Sequence, residues 1–163
     1  MRRIYLQEQA LRHLDKSAIF KYERLHREYA TDYFFLYNYG ALLHRLGYYR
    51  KSLDVLRECS LYLADYNMLL IMGDDYQHLE MLDSALVCYK HASAMIPNRF
   101  LPLYYQMKAY QENGDVDNAI RISKTIIHKP IKIPSGIVTA VRMESEVFLE
   151  SCGTDSVEVA FPK

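Results

Sequence analysis

The chain has 163 residues and a mass of 19.2 kDa, the length of one globular domain, and its 50% hydrophobic content suffices for a continuous core and excludes disorder. Twenty Lys and Arg balance twenty Asp and Glu, so the long-range attraction behind non-specific binding to nucleic acid or anionic membranes is missing, and neither is an expected partner. Six Gly and five Pro are too few for an all-β fold cut by turns and suit long helices.

In chain order, the periodicity predicts helices over 3–13 and 17–29, the second carrying Ala18, Tyr22 and Leu25 at small, aromatic and apolar positions. Helices follow at 33–45 and 49–62, then at 66–78 and 82–94, then at 100–112 and 116–128. Within each pair a turn residue separates the two helices: Gly47, Glu80 and Gly114. Lys129-Pro130-Ile131-Lys132-Ile133-Pro134 cannot be helical, because each proline and the residue before it are held extended. Ser135 then caps a ninth helix over 136–151, with Ile137, Ala140, Val141, Val147 and Phe148 on one apolar stripe that is expected to face the core. The tail 152–163 is expected to be loose or to dock as an extended strand.

These pairs repeat. Leu36-x2-Tyr39-Gly40-x2-Leu43, Leu69-x2-Met72-Gly73-x2-Tyr76 and Leu103-x2-Gln106-Met107-x2-Tyr110 align at offsets of 33 and 34 residues. In the second helices Ser52, Ala85 and Ala119 hold the small position, and Leu56, Tyr89 and Ser123 the position four residues on. The pattern resembles the tetratricopeptide repeat, most fully in the middle unit, where Leu69, Gly73, Tyr76, Ala85, Tyr89, Ala92 and Pro97 fall in register. Met107 and Ser123 depart from it, since the family places a small residue and an aromatic there. The resemblance implies an all-α fold, an α-solenoid of stacked antiparallel helix hairpins closed by a C-terminal capping helix. It makes 1–151 one domain, with a degenerate repeat over 1–32, repeats over 33–65, 66–99 and 100–133, and the cap over 136–151.

In that family the first helix of each pair faces a groove. Carried over position by position, the resemblance assigns to it Phe34, Tyr37, Asn38, Ala41 and His44, then Asn67, Leu70, Ile71, Asp74 and Gln77, then Leu101, Tyr104, Tyr105, Lys108 and Gln111. The face is apolar and Tyr-rich, and Tyr37, Tyr104 and Tyr105 suit anchors for a peptide or protein partner. Each also fits an aromatic slot of the repeat core, the commoner place for a tyrosine in such a chain. The Lys, Asn and Arg set with which some members hold a terminal carboxylate is replaced by Tyr37, Ala41, Ile71, Leu101 and Tyr105. Charge is uneven: seven acids and one Arg lie between Asp54 and Asp83, and four bases and no acid between Arg121 and Lys132. Those patches either steer a second copy of the chain, giving a homo-oligomer, or are solvated faces.

No catalytic constellation or cofactor is expected. His13, His26, His44, His78, His91 and His128 are scattered singly, and no phosphate-cradling or nucleophile-elbow motif occurs. Cys88 and His91, three apart, are only two ligands and do not close a metal site. Asp74 and Asp75 are helix neighbours about 100° apart, so at most one faces the groove. Three widely spaced cysteines are no disulfide framework and point to a reducing compartment. Gln7, Glu8 and Gln9 interrupt the N-terminal region before a signal peptide accumulates, and no apolar window reaches ~20 residues. The expectation is a cytoplasmic protein if this is the full chain, without direct membrane insertion. An alternative follows from Tyr37-Asn38-Tyr39-Gly40, Ile96-Pro97-Asn98-Arg99-Phe100-x-Pro102-Leu103-Tyr104 and Pro130-Ile131-Lys132-Ile133-Pro134-Ser135, which resemble the C-terminal repeat region of bacterial O-antigen ligase-like membrane proteins. That resemblance implies a soluble accessory domain of a membrane enzyme of surface-polysaccharide assembly.

Overall fold

The computed structural model describes residues 16–153, and all its regular elements among them are helical: α1 (Lys16–His26), α2 (Tyr33–Arg45), α3 (Tyr49–Ser60), α4 (Tyr66–His78), α5 (Leu82–Met95), α6 (Leu101–Glu112), α7 (Val116–His128) and α8 (Gly136–Ser151). The expected helix at 3–13 and most of the tail lie outside the described residues. The chain forms two compact units, Met1–Ala92 and Ser93–Lys163. In the first, α2 packs on α1, α3 and α4, and α3 on α4; in the second, α7 packs on both α6 and α8. Sequential neighbours therefore bury one another, as a stack of antiparallel hairpins requires.

Side-chain caps start four helices. The carboxylates of Asp32, Asp65 and Asp115 accept from backbone amides at the starts of α2, α4 and α7, and the Ser135 hydroxyl accepts from Val138 at the start of α8. Hydrogen bonds from the Asn118 side chain and backbone hold the Asp115 carboxyl below its ordinary range. Gly47 (φ 79°) and Gly114 (φ 74°) turn the chain in the left-handed region; Glu80 (φ 60°) does the same work between α4 and α5 with a side chain that disfavours it. Helix α1 stops at His26, three residues short of expectation, and α3 at Ser60, two short, the chain passing at each into turns.

The hairpins close through size complementarity. Gly40 and Gly73 are buried. A Cβ at Gly40 would lie 2.5 Å from Leu56 Cγ, and one at Gly73 would lie 2.7 Å from Tyr89 Cδ1, so neither site admits even alanine without displacing its partner. Tyr89 is fully buried and its hydroxyl donates to Gln77 Oε1 at 3.1 Å, which fixes the ring against Gly73. Ser52, fully buried, donates to the Gly40 carbonyl at 3.0 Å, so the small position of α3 bonds to the small position of α2. Ala18 and Tyr22 of α1 are buried as expected, and Tyr22 stacks on Tyr39 with centroids 5.1 Å apart and planes at 3°.

The last helix differs from expectation. Its buried residues are Val141, Ser145 and Leu149; of the stripe expected to face the core, Ile137 and Val147 are 57% and 64% exposed and Ala140 is exposed as well. The face is turned by roughly a quarter-turn at 100° per residue. The cause is Met107, which fills the place of a small residue on α6 and needs a small partner: Ser145 approaches with its Oγ 3.5 Å from Met107 Sδ. Ser145 satisfies its buried hydroxyl on the Val141 carbonyl at 2.8 Å.

Two outcomes test this packing. Ala85→Leu should overpack the fully buried contact in α5 and lower stability by about 1–3 kcal/mol, read from denaturant unfolding. Glu80→Gly should raise the melting temperature, with a gain up to about 1 kcal/mol, because it relieves a left-handed residue at a turn where glycine is the natural occupant.

Candidate functional site

In the first unit, the residues assigned to the first-helix faces lie on α2 and α4. Phe34 is 59% exposed and Asn67 exposed, while Tyr37, Asn38, Ala41, His44, Leu70, Ile71 and Asp74 are partly buried. The solvent-facing aromatic surface is therefore carried by the start of α2, where Tyr33 packs edge-on to Phe34 and stacks on Tyr37 at 6.0 Å. Burial, with the Asp65 and Cys59 charges adding, pushes the Tyr33 phenol up to about 12 and raises Tyr37, so both remain neutral donors. Asn38 folds back, its Nδ2 donating to the Phe34 carbonyl at 2.6 Å.

The far end of this face is polar and partly closed. Asp75 is fully buried, and its Oδ1 accepts from His44 Nδ1 at 2.8 Å. Asp74, its neighbour, stays 35% exposed, 3.8 Å from His44 and 3.3 Å from His78 Nδ1. Of the two adjacent acids, only one faces outward, as the helical geometry demands. His78 in turn stacks on Tyr49 at 4.2 Å. His44 is thus a tie between α2 and α4. The hydrogen bond that it donates to Asp75 raises its pKa, burial opposes, and the charges of Asp75 and Asp74 add to the rise while Arg45 subtracts. The neighbouring positions of Asp74 and Asp75 in the sequence imply that one of them turns inward, but not that the inward one meets His44, 31 residues away.

In the second unit, Leu101, Tyr104, Tyr105 and Lys108 are all partly buried on α6. Tyr104 and Tyr105 meet with centroids 5.8 Å apart. The Tyr104 hydroxyl donates to Glu144 Oε2 at 2.8 Å, and burial with that contact pushes the phenol up to about 12. Beyond Tyr104, α6 and α8 frame a cavity of about 460 Å³ between Met107, Lys108, Met143, Glu144, Val147 and Phe148. Met143, Glu144 and Val147 of α8, a helix expected only as a cap, form one wall of this cavity.

Other reactive groups are held inert. Cys59 and Cys88 are buried, which pushes both thiols up to about 11, away from the thiolate form that attacks or ligates. Cys88 is buried and His91 exposed, so the two do not present a common site. Among the described residues no group of three His, Cys, Asp or Glu is placed to hold a metal ion, and no helix is long and apolar enough to cross a membrane.

Below pH about 6.5 His44 is charged in both the folded and unfolded chain, and its bond to Asp75 contributes in full. That contribution is lost as pH rises through the raised folded value. Urea unfolding from pH 5.5 to 8.5 should show stability falling with pH across this window. His44→Ala should remove that part of the slope and cost about 1–3 kcal/mol at the acid end, by leaving the Asp75 carboxylate without its donor.

No protein-family model matches the chain, and no curated protein matches it by sequence. Solved structures do. PcrH from Pseudomonas aeruginosa is similar over 88% of this chain and 97% of its own, with a TM-score of 0.62 and 17% identity. MamA AMB-1 and MamA MSR-1 are each similar over 94% of this chain, and over 84% and 88% of their own, with TM-scores of 0.63 and 18% identity. PcrH and MamA are tetratricopeptide-repeat proteins. The fold is accordingly all-α and tetratricopeptide-like, built from consecutive antiparallel helix hairpins.

Proposed function

We propose that this chain is a non-enzymatic protein-interaction module that holds a peptide or protein segment against the first-helix faces of its repeats. The observation that carries the reading is the distribution of surface aromatics. Helices α2 and α6 keep Phe34, Tyr37, Tyr104 and Tyr105 at least partly accessible, whereas Tyr89 of α5 is fully buried against Gly73. Tyrosine offers a large amphipathic contact at low entropic cost, and partly desolvated hydroxyls give such a contact direction. Similarity to PcrH and MamA supports the scaffold and leaves the partner open.

The titratable groups agree with binding and not with catalysis. Burial holds Tyr22, Tyr33 and Tyr39 near 12 and Cys59 and Cys88 near 11, so these groups stay protonated across the neutral range. His44, half-buried and with its pKa raised chiefly by its hydrogen bond to Asp75, is already committed to that carboxylate.

Tagged wild-type chain and a Tyr37→Ala/Tyr105→Ala variant, each used to capture partners from the native extract with identification by mass spectrometry, test the reading. The variant should keep its helical spectrum and lose at least about tenfold in recovery of the specific partner. A partner recovered equally by both, or a collapse of the melting transition, would place these side chains in the core and sink the proposal.

A further inference from the structure

The cavity between α6 and α8 has a chemistry of its own. Its floor is Met107, 1% exposed, with Phe148 beside it, and its outer wall is Met143 and Val147, 59% and 64% exposed. Its volume of about 460 Å³ accepts two or three apolar side chains, and the two methionines are unbranched and adapt to what enters. The apolar surface does not stop at the cavity. Ile137, Ala140, Met143 and Val147 occupy one face of α8 some ~15 Å long at 1.5 Å per residue, which suits a run of peptide better than a compact small molecule.

Two charges stand at the rim, and they differ in how they are satisfied. Glu144 already accepts the Tyr104 hydroxyl at 2.8 Å. Lys108 has no ion pair or hydrogen bond with any other described residue. An occupant that drives water from the cavity removes the hydration of that ammonium, and the cost is recovered only if the occupant brings an acceptor, best an anionic one. Glu144 on the α8 side repels the same anion, so the acid is directed to the α6 side of the rim.

We infer that this cavity binds a short apolar peptide segment carrying an acidic side chain, with the apolar residues in the Met107–Met143–Val147–Phe148 hollow and the carboxylate on Lys108. The inference rests on the interaction-module reading and specifies the partner chemistry at one end of it. It differs from terminal-carboxylate capture, because one lysine beside an apolar hollow reads an internal Asp or Glu as well as a chain end.

The probe is a library of random twelve-residue peptides displayed on phage and selected against the full chain, with enriched sequences resynthesised for fluorescence anisotropy. Wild type should enrich peptides with Asp or Glu within a few residues of two apolar side chains. Lys108→Glu should weaken those peptides at least about tenfold and enrich Lys- or Arg-containing ones instead. Val147→Lys, at an exposed position that leaves the fold intact by circular dichroism, should lose both classes. Enriched peptides without an acidic bias, or with affinity unchanged in Lys108→Glu and Val147→Lys, would overturn the inference. If such peptides are lost in Tyr37→Ala and kept in Lys108→Glu, the interaction reading stands on the other unit and the inference is overturned. No enrichment against any form of the chain would overturn both.

Discussion

Helix hairpins can stack closely only where one backbone is allowed to approach a large side chain of the next, and this chain meets that requirement with the paired sizes of Gly40 against Leu56 and Gly73 against Tyr89. A single methyl group at either glycine would overlap atoms that are themselves fully buried, so the contact is a steric condition on the sequence and not a preference. Everything else in the first unit follows from it. Once α2 and α3, and α4 and α5, are pinned at these points, Tyr22, Phe35 and Tyr39 have a fixed surface to stack on. Polar groups that enter the core bond within it, as Ser52 does to the Gly40 carbonyl and Asp75 to His44.

The same constraint explains why the architecture was legible and the last element was not. Small and large residues recurring at a period of 33 or 34 residues carry the packing rule in their order, and α2, α4 and α7 span the residues that this order predicts. Asp32, Asp65, Asp115 and Ser135 supply the caps that hold four helix starts. Helix α8 is different, because its orientation depends on Met107, a residue 38 positions away from Ser145. An apolar stripe reports which residues prefer burial but not which face the neighbour offers. Here the neighbour offered a bulky thioether, and the serine was the residue that fitted.

At the candidate surfaces, residue types were readable from the repeat register while their engagement was not. Phe34 is exposed and Tyr37 half-buried on α2, but His44 is bound to Asp75 and Tyr104 to Glu144, both through contacts between residues more than thirty apart. These ties matter for binding. A histidine held by a buried carboxylate and a tyrosine held by a glutamate lose little further freedom when covered, so part of the ordering cost of an interface is met within the fold. They also remove donors that a partner would otherwise have satisfied, and so narrow what polar chemistry the surface presents.

The exposed face of α8 is best understood as a consequence of the exchange at Met107. In the first unit a glycine on the first helix faces a large residue, Gly40 against Leu56 and Gly73 against Tyr89. Where a methionine takes that place, the approaching helix must present its smallest residue, and seating Val141, Ser145 and Leu149 turns Ile137, Met143 and Val147 outward. The substitution therefore both fills the core of the second unit and opens the apolar hollow beside Lys108. A small residue at 107 would let a bulkier face of α8 approach and would close that hollow. Packing and recognition in this unit are thus two readings of one side-chain volume.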